Sequence, residues 1–242
     1  MSNQARKEEV TAFSYASTEL GALVEAKKYY RWILNRFVPH LGKRIIEVGA
    51  GIGTFSEFLL NGTNCSSLLI VEPAENLCPL LQERFSCDTR VKVVQGYLED
   101  MASSLSADSV VSVNVLEHIA DDETYLQRAH QILVSGGTIL LLVPALPWLF
   151  GKLDEAFGHV RRYTKSSLAD KLLRAGFHLT YLRYSNFPGV ITWFLAGKVL
   201  RRRTLRPADV RLYDRWVVPW ISRLERHWEP PIGQSLMAIA RK

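Results

Sequence analysis

Apolar positions along the chain follow two periods. Five short apolar runs, at 44–48, 67–71, 91–95, 110–115 and 138–143, are mostly continuous rather than alternating. Continuous runs of this length predict strands of a parallel sheet covered on both faces. Between them, 55–60, 77–85 and 124–133 read as helices. Ahead of the first strand, Leu20, Leu23, Val24, Tyr30, Ile33, Leu34 and Phe37 fall near one face of a single helix over 19–37, ended by Pro39 and Gly42. Strands alternating with helices predict an α/β fold with a doubly wound sheet.

The pattern changes after the fifth strand. Residues 144–164 read as a long loop, 165–177 as a helix stopped by Gly176, and 178–185 as an alternating sixth strand. Residues 186–231 read as helical and rich in Trp and Arg, and 234–242 as a closing strand. The expected architecture is one domain over 1–242. It comprises an N-terminal helical cap (1–39), a core (40–185), a helical lid (186–233) and a final antiparallel strand (234–242).

Composition narrows the picture. The chain has 242 residues and a net charge of +6. No apolar run reaches the ~18 residues of a membrane span, and the stretch "MSNQARKEEV" lacks an apolar signal segment, so a cytoplasmic location is expected. Cys65, Cys78 and Cys87 are too few and too irregular for a disulfide framework or a zinc site. The charge is uneven: residues 186–234 hold nine Lys/Arg against four Asp/Glu.

The candidate chemistry starts at "IIEVGAGIGTF" (45–55), an apolar run followed by glycines at every second position. A triphosphate loop requires Gly-Lys-Ser/Thr at its end, and here Thr54 and Phe55 follow the third glycine. A dinucleotide fingerprint has two residues between its second and third glycines; Gly51 and Gly53 are separated by one. Glu47 beside the turn opposes a pyrophosphate and suits a cation. S-adenosylmethionine (SAM), phosphate-free with a positive sulfonium, fits this turn. Glu72, 19 residues after Gly53 at the end of the second strand, is placed to accept hydrogen bonds from both ribose hydroxyls.

With "VEPAENL", "VQGYLED" and "VNVLEHIADDE" in the same order and spacing, the chain resembles the class I SAM-dependent methyltransferases over roughly 40–185. "VNVLEHI" is similar to the branch containing ubiquinone-biosynthesis methyltransferases, and "SLMAIARK" to the family's last strand. The resemblance implies a seven-stranded sheet with its last strand antiparallel, and a cofactor held by Glu47, Gly49, Ala50, Gly51, Gly53, Glu72, Pro73, Gly96, Tyr97, Leu98, Asn114 and Leu116. Many members have Asp directly after the glycine of the third-strand loop; here it is Tyr97, so Glu99 or a backbone amide is expected at the adenine amine.

Methyl transfer from a sulfonium needs alignment and exclusion of water, with a base only where the acceptor loses a proton. His118, His159 and Tyr163 are the catalytic candidates, and Tyr15, Glu117 and Arg162 the substrate-binding ones. Each has a plainer alternative: His118 packing on the cofactor or capping a helix, the arginines of "FGHVRRYT" paired with Asp154 or Glu155, Tyr15 as packing. No metal is expected, because Asp121 and Asp122 fit better as the start of a helix. Within 187–206 a short apolar stretch ends in three arginines, Arg201, Arg202 and Arg203. It reads as a lid with a solvated basic face, or as a contact for a membrane surface or lipid-linked acceptor. The arginines are few and no known nucleic-acid module is present. The leading expectation is methylation of an oxygen or nitrogen on a small-molecule, glycan or lipid-linked acceptor. RNA or protein methylation and a non-catalytic SAM-binding subunit are the alternatives.

Overall fold

The computed structural model describes residues 14–15, 19–102 and 104–242; the N-terminal decapeptide discussed above lies outside them. Seven strands form one sheet: β1 (Arg44–Val48), β2 (Ser67–Glu72), β3 (Val91–Gln95), β4 (Ala107–Val113), β5 (Leu133–Pro144), β6 (His178–Ser185) and β7 (Ser235–Arg241). Their order is β3-β2-β1-β4-β5-β7-β6, with β7 antiparallel to both neighbours and the pairings among β1–β5 parallel. This is the expected doubly wound sheet. The order reverses between β1 and β4, so the turn after β1 stands at the switch point where such sheets bind ligands.

Two apolar layers cover the sheet. One packs Tyr125, Leu126 and Ala129 of α5 (Asp122–Ile132) and Leu168 and Leu172 of α7 (Lys165–Arg174) against strand residues such as Val110 and Leu141. The other packs Ile33, Leu34 and Phe37 of α2 (Lys27–Phe37) and Phe55 and Leu59 of α3 (Thr54–Gly62) against Ile45, Ile70 and Leu140. The helix α4 (Cys78–Arg84) carries Cys78 inward; Cys65 is also buried and Cys87 exposed. Asp121 caps α5, accepting from Thr124 N at 3.1 Å, in keeping with the reading of the acidic pair as a helix start.

Three segments differ from expectation. The helix over 19–37 is divided into α1 (Glu19–Leu23) and α2. The break follows from a long-range cap: both oxygens of buried Asp214 accept from Lys28 N and Tyr29 N, at 3.0 and 2.8 Å. The loop over 144–164 contains a 3₁₀ turn at Pro147–Leu149 and the helix α6 (Lys152–Phe157). The fourth strand ends at Val113 because Asn114 turns into the left-handed region (φ 55°), which Asn tolerates better than most residues.

The lid segment forms α8 (Phe187–Trp193), which continues as a π-helical turn (Phe194–Val199), then α9 (Pro207–Trp216) and α10 (Val218–His227). No described helix is long and apolar enough to cross a membrane. Buried Glu225 of α10 accepts from Asn186 N and Phe187 N, at 3.1 and 3.0 Å, and so caps α8. Replacing Glu225 by Ala leaves two backbone donors unpaired. Glu225→Ala is expected to cost about 1–3 kcal/mol in urea unfolding; an unchanged midpoint would show that this cap does not hold the lid.

Candidate active site

A cavity of about 540 Å³ lies between the end of the sheet and the lid. Its floor is the turn after β1, with Glu47, Gly49, Ala50 and Gly51; its far wall is the lid, with Trp193, Leu195, Leu200 and Leu205. Asn114, His118 and His159 stand between floor and wall, and Tyr15 closes the N-terminal side. Gly49 and Gly51 have φ of 69° and 59°. A Cβ on Gly49 would sit 2.6 Å from Val115 Cγ2, so both the conformation and the close approach require glycine there.

Other expected cofactor residues stand beside the cavity. Glu72 is buried at the end of β2; its oxygens accept from Gly51 N (2.9 Å) and Ala74 N (3.0 Å). A carboxylate has about four acceptor positions, so Glu72 retains acceptor capacity beyond these two bonds. Pro73 follows it, and Gly96 N donates to Glu72 O at 3.1 Å, bringing the Gly96–Tyr97–Leu98 loop alongside. Tyr97 is exposed; Leu98 and Leu116 are buried as packing residues, and Gly53 begins α3 against Phe85. The strap at Tyr15 crosses this edge: Tyr15 N donates to Asn76 Oδ1 (2.9 Å) and Asn76 Nδ2 to Tyr15 O (3.0 Å). The Tyr15 hydroxyl bonds Glu19, and Leu20 packs over Gly51.

Glu47 is 3% exposed and its Oε2 has no hydrogen-bond partner among the described residues. Burial, reinforced by the like charge of Glu72, raises its carboxyl to about 7. Burial also raises Glu72 above its ordinary value. Glu47 thus faces the cavity with Glu72 close behind it, and a cation beside them would favour their ionised forms.

A second set of charges converges from the loop after β5. Asp154 is fully buried. Its Oδ1 accepts from Arg162 Nε at 2.7 Å and contacts His159 Nδ1 at 2.9 Å. Its Oδ2 accepts from Gly151 N at 3.0 Å and from Trp193 Nε1 of the lid at 3.1 Å. Burial alone would raise this acid, but His159 and Arg162 together hold it below its ordinary value. The ionised Asp154 fixes His159 with Nδ1–H as donor and turns Nε2 away from it. Nε2 lies 3.9 Å from Glu117 Oε1. Glu117 is fully buried, with neither oxygen hydrogen-bonded among the described residues, and burial raises it to about 7. His118 stacks edge-on against His159, with ring centroids 4.9 Å apart. Burial, then the neighbouring His159, lowers it to about 4, so it is neutral at pH 7. Ligand atoms of Glu117, His118 and His159 lie within 4.8 Å of one another, a geometry that admits a divalent ion as well as a proton.

Two expected residues take structural roles instead. Tyr163 is buried, its hydroxyl donating to Leu116 O (3.1 Å) and Asp122 Oδ2 (2.8 Å); burial raises it far above the ordinary phenol value, which excludes it as a base in this arrangement. Arg162 is held by Asp154, Ala145 O (2.8 Å) and the Trp193 ring (4.9 Å), and its side chain does not reach the cavity. The pairing with Asp154, set out above as the plainer alternative for the arginines, is the one observed. Arg161 pairs with Asp122. In the sequence Asp154 stands only as an arginine partner and Trp193 not as a site residue; the contacts of Asp154 with His159 and Trp193 depend on α6 lying within an apparent loop.

Because the raised pKa of Glu47 exceeds its unfolded value, its contribution to stability is present below about pH 4.5 and is lost as pH rises through about 7. Glu47→Gln removes this dependence. At pH 8 it is expected to stabilise the unliganded protein by on the order of 1–3 kcal/mol, and at pH 4.5 to do little. Equal effects at the two pH values in denaturant titrations would contradict this.

Comparison with known proteins fits this architecture. Residues 24–182 match a family model described as a methyltransferase domain. The human mitochondrial ubiquinone biosynthesis O-methyltransferase is 34% identical over 113 residues, covering 43% of this chain and 29% of that protein. The tRNA U34 carboxymethyltransferase of Haemophilus influenzae is 25% identical over 148 residues, covering 58% of this chain and 44% of that protein. The match thus spans well under two thirds of either relative's length. An S-adenosylmethionine dependent methyltransferase structure from Mesorhizobium loti superposes with a TM-score of 0.60 at 17% identity, over 86% of this chain and 95% of its own. At that identity the likeness concerns the fold. With the family match covering most of the chain, and the sheet order and switch-point turn in place, the chain belongs to the methyltransferase-domain family and has the fold of the class I SAM-dependent methyltransferases.

Proposed function

We propose that this protein moves the methyl group of SAM to an oxygen or nitrogen of a small, largely apolar or lipid-linked acceptor. The observation that carries this reading is the single cavity that joins the glycine turn to His159 and to the apolar lid wall. Bound at the turn, SAM supplies an electrophilic methyl on a good leaving group, displaced in line. The chain's own residues supply the rest. The turn accepts close approach at Gly49 and Gly51, Glu72 receives the ribose hydroxyls, and Glu47 offers negative potential to a sulfonium or ammonium group. Trp193, Leu195, Leu200 and Leu205 line the lid side with apolar surface and favour an apolar acceptor body.

His159 is the proton acceptor in this reading. Asp154 orients its ring, as in other bases fixed by a buried carboxylate, and leaves Nε2 free to take a proton from an acceptor hydroxyl or ammonium. The imidazolium so formed lies between Asp154 and Glu117, both buried acids. His118, lowered to about 4, serves as a neutral wall beside it. The RNA reading draws on the basic lid and on the tRNA relative. The apolar lid wall speaks for the smaller acceptor.

Incubation with methyl-labelled SAM and separate lipid, small-molecule and RNA fractions tests the acceptor class; label confined to RNA would refute this reading. Turnover that is lost to chelator and restored by a divalent ion would transfer the Glu117–His118–His159 cluster from proton to metal chemistry. For the cofactor, Glu72→Ala is expected to weaken SAM binding about tenfold or more in calorimetry, and unchanged affinity would remove Glu72 from the site. His159→Ala is expected to lower kcat about 10²–10⁴-fold with little change in SAM affinity.

A further inference from the structure

The outer side of α9 and α10 takes no part in the cavity, yet it carries a regular apolar pattern. Leu212, Trp216, Trp220 and Leu224 recur at every fourth residue and are 62%, 59%, 72% and 54% exposed. Val217 joins the two helices with α-helical backbone angles, and Val217 N and Ile221 N make helical hydrogen bonds across the joint. Residues four apart lie close to one face, so the four side chains form one stripe over two nearly continuous helices. The inward side of α10 is occupied by Val218, Ile221 and Glu225. An exposed stripe with two tryptophans is far more than the scattered apolar exposure normal for a surface.

Basic side chains flank the stripe. Arg215, Arg223 and Arg226 are exposed and make no ion pair among the described residues; neither do Lys198, Arg201, Arg203 and Arg206 earlier in the lid. Next to α10 lies a second cavity, of about 730 Å³, between that helix and α2. Its lining holds five basic residues, Lys28, Arg31, Arg36, Arg223 and Arg226, and no acid. Trp32 in the same lining is 7% exposed, and its indole N–H has no hydrogen-bond partner among the described residues. A concave cationic site with an unsatisfied donor is suited to phosphate oxygens.

We propose that this face seats the protein on an anionic lipid bilayer. Trp216, Trp220 and Leu224 enter the headgroup–acyl boundary, and the cleft between α10 and α2 takes a lipid phosphate. Charge and shape select this occupant. Tryptophan belongs at the membrane–water boundary, arginines beside it meet the negative surface potential, and a helix with apolar and cationic sides lies in that plane. A second copy of this face would set arginines against arginines, because α2 has no acid and the one acid of α10, Glu225, is buried. The proposal does not depend on which acceptor is methylated, and it places the contact on 212–228 rather than on the 187–206 stretch.

Co-sedimentation with phosphatidylcholine vesicles, alone or containing phosphatidylglycerol, tests it at low and near-physiological salt. The expected result is binding to the phosphatidylglycerol vesicles with a blue shift in tryptophan emission. Arg223→Glu/Arg226→Glu should weaken binding about tenfold or more. Trp220→Ser should remove the part that survives higher salt. SAM affinity, measured in the same variants, reports that each has folded. Equal binding to both vesicle types, or insensitivity to both variants, would overturn the proposal. So would a dimer that Trp220→Ser dissociates, or RNA binding at these arginines with no vesicle binding. Saturation of the cleft by inorganic phosphate, with vesicle binding unaffected, would assign the cleft to a free anion and refute its lipid role.

Discussion

The buried carboxylate of Asp154 is the contact on which the site depends. Four donors meet it: a main-chain amide at Gly151, the His159 ring, the Arg162 guanidinium and the Trp193 indole. These come from the loop after β5 and from the first helix of the lid, so one ion fixes the position of the His159 ring and of the Trp193 wall beside it. An unpaired charge at that depth would be costly; with its acceptors filled and Arg162 beside it, the charge is retained. Loss of any one donor would leave the others less compensated, and neighbouring groups in such a network respond together.

The same logic operates twice more at longer range. Asp214 and Glu225 each turn a carboxylate inward to the start of a helix distant in sequence, α2 and α8 respectively. The lid is thereby tied to the N-terminal helices and to the edge of the sheet by charge-assisted hydrogen bonds rather than by apolar contact alone. That leaves its outer surface free to be apolar and basic without loosening the fold.

The sheet was legible because continuous apolar runs bounded by turn residues leave few other arrangements, and the glycine turn was legible because its spacing excludes phosphate loops. The break between α1 and α2 was not, since the residue that caps α2, Asp214, lies far along the chain. Tyr163 and Arg162 show the complementary limit. Their chemistry suits recognition, but residue type does not give direction, and both point inward, to Asp122 and Asp154. The Asp154 network was hidden for a related reason: its acid, histidine and arginine lie within nine residues, but their convergence depends on a short helix inside an apparent loop.

The strap formed by Tyr15 and Leu20 has a kinetic meaning. Leu20 rests against Gly51, and Tyr15 is clasped to Asn76 beyond the end of β2. A molecule seated on the turn would meet Leu20 and the Tyr15–Asn76 pair on one side and the lid on the other, so its exchange would be sensitive to two hydrogen bonds at Asn76 as well as to the lid.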